Sequence, residues 1–217
     1  MSTAARRRVV ITGLGVICPL GNDVTTFWNR ALKGENGIER YEDLATAGLT
    51  TTIAGRIKGF DAAVAFNDRK YARQTDPFVH YAVFAAEQAL KDSRLDLDKT
   101  DRNRVGCVIG SGIGGLEEIQ DGNRVLIERG PGRINPFFIP KLMLNAAAGN
   151  VAIRFGLKGP NFATASACAA ANHALGVAYR TIQYNDADVM VTGGTEAAVT
   201  VLGMAGFCSA RAMSQRN

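Results

Sequence analysis

Cys168 stands in the run Thr164-Ala165-Ser166-Ala167-Cys168-Ala169-Ala170-Ala171-Asn172-His173. Upstream, Gly159-Pro160-Asn161-Phe162-Ala163 predicts a turn entering a short extended segment. Downstream, residues 169–184 are alanine-rich and free of proline, which predicts a helix. The cysteine therefore falls at a strand-to-helix junction, at or next to a helix N-terminus. Unpaired N–H groups and the positive end of the macrodipole favour a thiolate there. The small flanking residues leave room for an incoming electrophile. A buried, inert cysteine among alanines is the alternative that this segment leaves open.

The other residues with chemistry to offer are few. Cys18, Cys107 and Cys208 are expected in apolar settings. His173 lies five residues past Cys168, off its helical face, because a helical pairing needs i+3 or i+4; a structural role is expected. His80 is expected to be a packed or rim histidine. Glu196, after Gly193-Gly194, is expected to accept backbone hydrogen bonds in a tight turn. No Cys/His cluster has metal-ligand spacing, so no metal is expected.

These residues need a frame. Residues 9–12 predict a buried strand, and Asp23 caps a helix over 24–32. A hairpin is expected around Thr52-Ile53-Ala54-Gly55-Arg56. Asp76-Pro77 opens a helix to about Ser93, with Val79, Ala82, Val83, Ala86 and Leu90 at helical spacing. A strand over 105–109 runs into a glycine loop. Helices over 116–129 and 142–155 and a strand over 188–192 follow. Alternating strands and helices predict an α/β domain with a largely parallel sheet.

Several segments, in order along the chain, carry a resemblance. They are Arg8-Val9-Val10-Ile11-Thr12-Gly13-Leu14-Gly15, Gly110-Ser111-Gly112-Ile113-Gly114-Gly115, Asn135-Pro136-Phe137-Phe138-Ile139-Pro140, Gly156-Leu157-Lys158-Gly159-Pro160, the cysteine run, and Val191-Thr192-Gly193-Gly194-Thr195-Glu196 with Gly206-Phe207. Together they resemble β-ketoacyl-[acyl-carrier-protein] synthases of the type II elongating class, in the thiolase superfamily. The resemblance implies the N-terminal βαβαβαββ half of a thiolase-like fold, with a mixed, mainly parallel sheet flanked by helices. It takes residues 1–217 as one N-terminal domain, with the second half absent.

The same resemblance implies a function in fatty acid or polyketide chain elongation. Cys168 would be the acyl-accepting nucleophile of a decarboxylative condensation with malonyl-acyl carrier protein. Ile113 would gate chain length, Phe207 would lie near the nucleophile, and Phe138 and Ile139 would line the acyl pocket from a neighbouring subunit of a homodimer. No cofactor is implied, since substrates ride on the carrier protein's phosphopantetheine arm. The decarboxylation histidines belong to the second half in this family, so the 217-residue chain alone is expected to be condensation-incompetent. Ala170 and Ala171 stand where the family often has glycine or a hydroxyl residue, which would narrow the helix start.

Composition fits these partners. The chain is 47% hydrophobic and 21% charged, and its net charge of +5 suits an acidic carrier protein. Arg69, Lys70 and Arg73 are candidate docking charges, with Arg133 and Arg211. The basic residues are not interleaved with stacking aromatics, so nucleic acid is not expected. No apolar run approaches a membrane span, and Arg6-Arg7-Arg8 before Val9-Val10-Ile11 does not make a secretory signal. With four dispersed cysteines, this points to the cytoplasm. Two rival functions remain. Gly110-x-Gly112-x-x-Gly115 fits a dinucleotide fingerprint, which would suit a nicotinamide-dependent oxidoreductase, but no acidic residue closes a following strand. A non-catalytic partner subunit would lack the nucleophile.

Overall fold

The computed structural model describes residues 7–217; Arg6, the start of the basic run, lies outside them. In chain order the elements are α1 (Val24–Leu32), β1 (Glu39–Arg40), α2 (Glu42–Thr46), β2 (Ile53–Ala54), α3 (Ala62–Ala65), α4 (Arg69–Gln74), α5 (Pro77–Ser93) and β3 (Val105–Gly110). Then come α6 (Leu116–Arg129), α7 (Phe138–Leu142), α8 (Ala146–Phe155), β4 (Asn161–Phe162), α9 (Ala170–Gln183), β5 (Val189–Gly194) and α10 (Val201–Ser209). They form two compact units, each assembled from three stretches of chain.

Among the described residues the first unit comprises residues 7–15, Phe78–Gly114 and Met143–Glu196. Its sheet has the order β4-β3-β5, all parallel, with Cys107 opposite Asn161 and Val191. Every residue of the central strand β3 is buried. That is the pattern of a parallel strand covered on both faces, and it explains the unbroken run Val105-Gly106-Cys107-Val108-Ile109. Helices α8 and α9 pack against β3. Buried Ala170, Ala174 and Ala178 recur every four residues on α9, so its sheet-facing stripe is made of methyl groups and the helix sits close.

The second unit comprises Val16–Pro77, Gly115–Leu142 and Ala197–Asn217. Its buried centre is Leu44, Ala54 and Met204, wrapped by Tyr41, Leu49, Val199, Val201 and Met213. Asp23 caps α1 as expected, its carboxylate accepting from Thr26 N at 2.8 Å. The chain end is tied down: Thr51 Oγ1 donates to Ser214 O at 2.7 Å, and Asn217 Nδ2 donates to Thr50 O at 3.0 Å. Among the described residues no helix is long and apolar enough to cross a membrane.

Three local expectations are corrected. Residues 9–12 are not a buried strand: no ladder forms there, and Val10 and Ile11 are exposed. The segment is held instead by its flanks, with Arg7 Nη1 donating to Asp188 at 2.7 Å and Leu14 N donating to Asp92 at 2.9 Å. No hairpin turns around residues 52–56. β2 pairs antiparallel with β1 across α2, so its partner is a dozen residues upstream. The helix expected over 142–155 begins at Ala146, because Leu142 closes α7. The α/β class with a parallel sheet stands. The antiparallel component is the separate β1–β2 pair rather than part of that sheet.

Candidate active site

The first unit brings its chemistry to the carboxyl ends of its parallel strands, where open α/β sheets commonly bind ligands. β4 continues its alignment with β3 as far as Thr164, whose carbonyl accepts from Ser111 N at 3.2 Å. The chain then turns sharply. Ala169 N donates to Ser166 O at 3.1 Å and Ala170 N to Ala167 O at 3.0 Å, and α9 starts at Ala170. Ala167 has φ +48°, a left-handed conformation that costs an L-residue on the order of 1–2 kcal/mol. Such strain is concentrated at sites where a side chain must be presented. The residue presented is Cys168, exposed at the tip of the turn and one position before the helix cap Ala169.

Close packing fixes the turn. A Cβ on Gly110 would lie 2.3 Å from Ala170 O, and one on Gly194 would lie 2.4 Å from the Ala171 methyl. Ala170 and Ala171, where the helix start was expected to be narrowed, thus meet glycines at the ends of β3 and β5, and the helix start is accommodated by those glycines. Thr164 Oγ1 also donates to Ala170 O at 2.7 Å.

His173 pairs with Ser166. Its Nδ1 lies 2.5 Å from Ser166 Oγ, at the surface, so the histidine ties the first turns of α9 back to the residue two before the cysteine. His80 is buried in α5. Glu196 does accept backbone hydrogen bonds, but from the distant glycine loop: Gly112 N at 2.7 Å and Ile113 N at 3.2 Å. Ser111 Oγ donates to its other oxygen at 3.2 Å. This occupancy weakens the dinucleotide reading of the glycine loop, since amides that would cradle a pyrophosphate already hold a carboxylate of the chain itself. A Cβ on Gly112 would stand 3.5 Å from Ala167 Cα. The loop bearing Ile113 and the turn bearing Cys168 are therefore neighbours.

The remaining expected site residues belong to the second unit. Phe138 packs on α6, where its ring occupies the space a Cβ on Gly122 would take. Ile139 and Phe207 are exposed. Arg69, Lys70 and Arg73 are exposed on the short helix α4, Arg133 closes a single 3-10 turn, and Arg211 follows α10 with φ +54°. Among the described residues no cluster of His, Cys, Asp or Glu could hold a metal ion.

The thiols are not alike. Burial pushes Cys107 up to about 12. Cys208 is not in the apolar setting expected for it: a hydrogen bond with the Thr50 side chain lowers its pKa, helped by Thr51. A raised pKa means less thiolate at neutral pH, and the thiolate is the form that alkylates. Limited iodoacetamide labelling at neutral pH is therefore expected to modify Cys168 and Cys208 well before Cys107. Peptide mass mapping checks the order, and early labelling of Cys107 in folded protein would contradict it.

The fold and this turn define the class: a thiolase-like α/β domain with a cysteine presented at a strand-to-helix elbow. The model of the family "Beta-ketoacyl synthase, N-terminal domain" matches residues 6–217, and the chain belongs to that family. It is 47% identical over 213 residues to the 3-oxoacyl-[acyl-carrier-protein] synthase 2 of Vibrio cholerae, covering 98% of this chain and 51% of that protein. The chain thus spans about half the length of the curated relatives it matches. A β-ketoacyl synthase from Burkholderia phymatum superposes with a TM-score of 0.86 at 31% identity, over 97% of this chain and 52% of that one. A type II PKS ketosynthase, bound to the hexaketide and in complex with its acyl-carrier protein, superposes with a TM-score of 0.81 at 29% identity, over 96% and 56%.

Proposed function

We propose that this chain carries the acyl-accepting site of a β-ketoacyl-[acyl-carrier-protein] synthase acting in fatty acid or polyketide chain elongation. The observation that carries this is Cys168, exposed behind the strained Ala167 at the carboxyl end of the sheet. In the acylation step the Cys168 thiolate attacks the thioester carbonyl of an acyl group on carrier protein. The acyl carbon–Sγ bond forms, the bond to the phosphopantetheine sulfur breaks, and the departing thiolate takes up the proton the cysteine gave up. Condensation follows when malonyl carrier protein loses carbon dioxide and its carbanion attacks the acyl carbon, breaking the bond to Cys168 Sγ and releasing the thiolate. That second step needs groups to stabilise the developing enolate. Of the two histidines in this sequence, one is buried in α5 and the other is bonded to Ser166. The 217-residue polypeptide by itself is therefore expected to stop at the acyl-cysteine. Incubation with acyl and malonyl carrier proteins, intact-mass measurement and peptide mapping test the proposal. An acyl adduct on Cys168 is the expected result; an adduct confined to another residue would overturn it.

The partner is an acyl carrier protein, as in the related ketosynthase complex. Arg69, Lys70 and Arg73 on α4 give it a basic surface. Reversing all three charges is expected to weaken binding of holo carrier protein about tenfold at low salt, with the difference shrinking as salt rises, because exposed charges are screened within about 10 Å at 0.1 M. Titration at two salt concentrations checks this; unchanged affinity would move the docking site elsewhere. A cytoplasmic homodimer without a cofactor completes the proposal. β4 is an edge strand carrying the exposed Phe162, and pairing with a twofold mate would close that edge. A non-catalytic partner subunit fits less well, since the nucleophile is present and presented.

A further inference from the structure

We infer that Glu196 is a positioning residue: its carboxylate sets where Ile113 stands, and through Ile113 decides which acyl chains the Cys168 site accepts. The inference rests on the acyl-accepting function proposed above.

The glycine loop has little of its own to hold it. Gly110-Ser111-Gly112-Ile113-Gly114-Gly115 contains four glycines in six positions, and glycine loses more conformational freedom on ordering than any other residue. Beyond the bond from Ser111 N to Thr164 O, what fastens residues 111–114 is one carboxylate. Oε2 of Glu196 accepts from Gly112 N at 2.7 Å and from Ile113 N at 3.2 Å. Oε1 accepts from Ser111 Oγ at 3.2 Å, and that buried hydroxyl in turn accepts from Gly114 N at 3.0 Å. Residues 111 through 114 are all fastened to Glu196, directly or through Ser111. Successive amides closing on an anion form a nest, and here the anion comes from the same chain.

The anchor itself does not float. Thr195, the preceding residue, donates from its N to Gly110 O at 3.0 Å and from its Oγ1 to Phe78 O at 2.6 Å. Glu196 is thereby fixed to the end of β3 and the start of α5 before its side chain reaches the loop. On its other side the loop meets the nucleophile turn. A Cβ on Gly112 would stand 3.0 Å from Glu196 Oε2 and 3.5 Å from Ala167 Cα, so the loop is held between the carboxylate and the residue before Cys168. The Ile113 amide is pinned while its side chain stays partly exposed. Both carboxylate oxygens are committed, which suits a clamp and does not suit an acid that must give up or take a proton in each turnover.

Geometry, rather than charge, is what the clamp supplies, and this makes it testable. Glu196→Gln keeps a carbonyl oxygen for the two amides and places an NH2 group against Ser111 Oγ. Glu196→Ala removes the clamp. Glu196→Asp keeps the charge but withdraws it by one methylene, and serves if the alanine variant does not fold. Each variant would be treated with butyryl and dodecanoyl thioesters of N-acetylcysteamine, with acylation of Cys168 followed by intact mass. The alanine and aspartate variants are expected to raise the long-to-short rate ratio about tenfold, the scale of one lost hydrogen bond. The glutamine variant should stay near the parent protein. In an Ile113→Ala background, Glu196→Ala should add little, because both act through the same side chain. Amide exchange of Gly112 and Ile113 should accelerate in the alanine and aspartate variants and not in the glutamine variant. Failure of the parent chain to accept acyl groups would count against the proposed function, and the amide-exchange comparison would still judge the clamp. A chain-length ratio or amide exchange unchanged by losing the clamp, or a glutamine variant as impaired as alanine, would overturn it.

Discussion

Replacing Cys168 with alanine is expected to abolish acyl transfer to this chain, and replacing it with serine to slow it by roughly 10³- to 10⁴-fold. The magnitude follows from ionisation and nucleophilicity together. Free cysteine in water is a few per cent thiolate at pH 7. A hydroxyl with a pKa near that of bulk water, about 15.7, is ionised to roughly one part in 10⁹. The deficit of about seven orders of magnitude is partly returned, because nucleophilicity rises with basicity with a slope of about 0.4–0.5. Serine is nearly isosteric and keeps the same turn, so the loss belongs to the sulfur rather than to misfolding. Intact-mass kinetics with an acyl thioester, supported by a thermal melt showing both variants folded, make the measurement. Adducts forming on the alanine variant at the parent rate would place the nucleophile elsewhere. Cys208, whose thiol pKa is lowered by its threonine neighbours, is where one would then look.

Much of the frame behind this cysteine was legible in the sequence, and the reasons are local. Asp76-Pro77 and the apolar spacing after it locate α5, Asp23 locates α1, and the apolar run of β3 ends at its glycine loop. Capping, proline placement and periodicity act within a few residues, so a single sequence displays them. Pairing is different. Residues 9–12 have the composition of a strand, but composition does not supply a neighbour, and none is laddered to them. β2 is extended as expected, yet its partner β1 lies beyond an intervening helix.

The site divides in the same way. The strand-to-helix junction at Cys168 was readable from alanines following a glycine-proline turn. Its fastening was not. Glu196 reaches residues some 84 positions away, and nothing near either end announces the other. Helical spacing considers only partners along the helix of His173, whereas the turn before Cys168 folds Ser166 back onto it. The strain at Ala167 was equally hidden, because alanine gives no sign of a left-handed backbone.

Gly110 is where fold and site depend on the same atom being absent, and Gly110→Ala is expected to be severely destabilising. The added Cβ would stand 2.3 Å from Ala170 O, 2.4 Å from Ala170 C and 2.8 Å from Ala171 N, all backbone of the first turn of α9. No side-chain rotation relieves a clash with backbone. The helix would have to retreat by about 1 Å from a sheet against which it is packed at crystal-like density. Overpacking of this kind costs about 3 kcal/mol or more, a large part of the roughly 5–15 kcal/mol that holds a domain folded. For a chain of this size that corresponds to a fall in Tm of about 6–12 °C. The retreat would also carry the Cys168 turn away from the glycine loop, so acylation should fall together with stability. Gly176, in the same helix, is the control. Nothing lies within 4 Å of a Cβ built there, and alanine in a helix interior is favoured over glycine by about 0.5–1 kcal/mol. Gly176→Ala should therefore raise Tm while leaving acylation intact. Paired melts and acylation rates of the two variants decide the matter. A Gly110→Ala protein that melts with the parent and is acylated at its rate would show that α9 is not held against β3 at this distance.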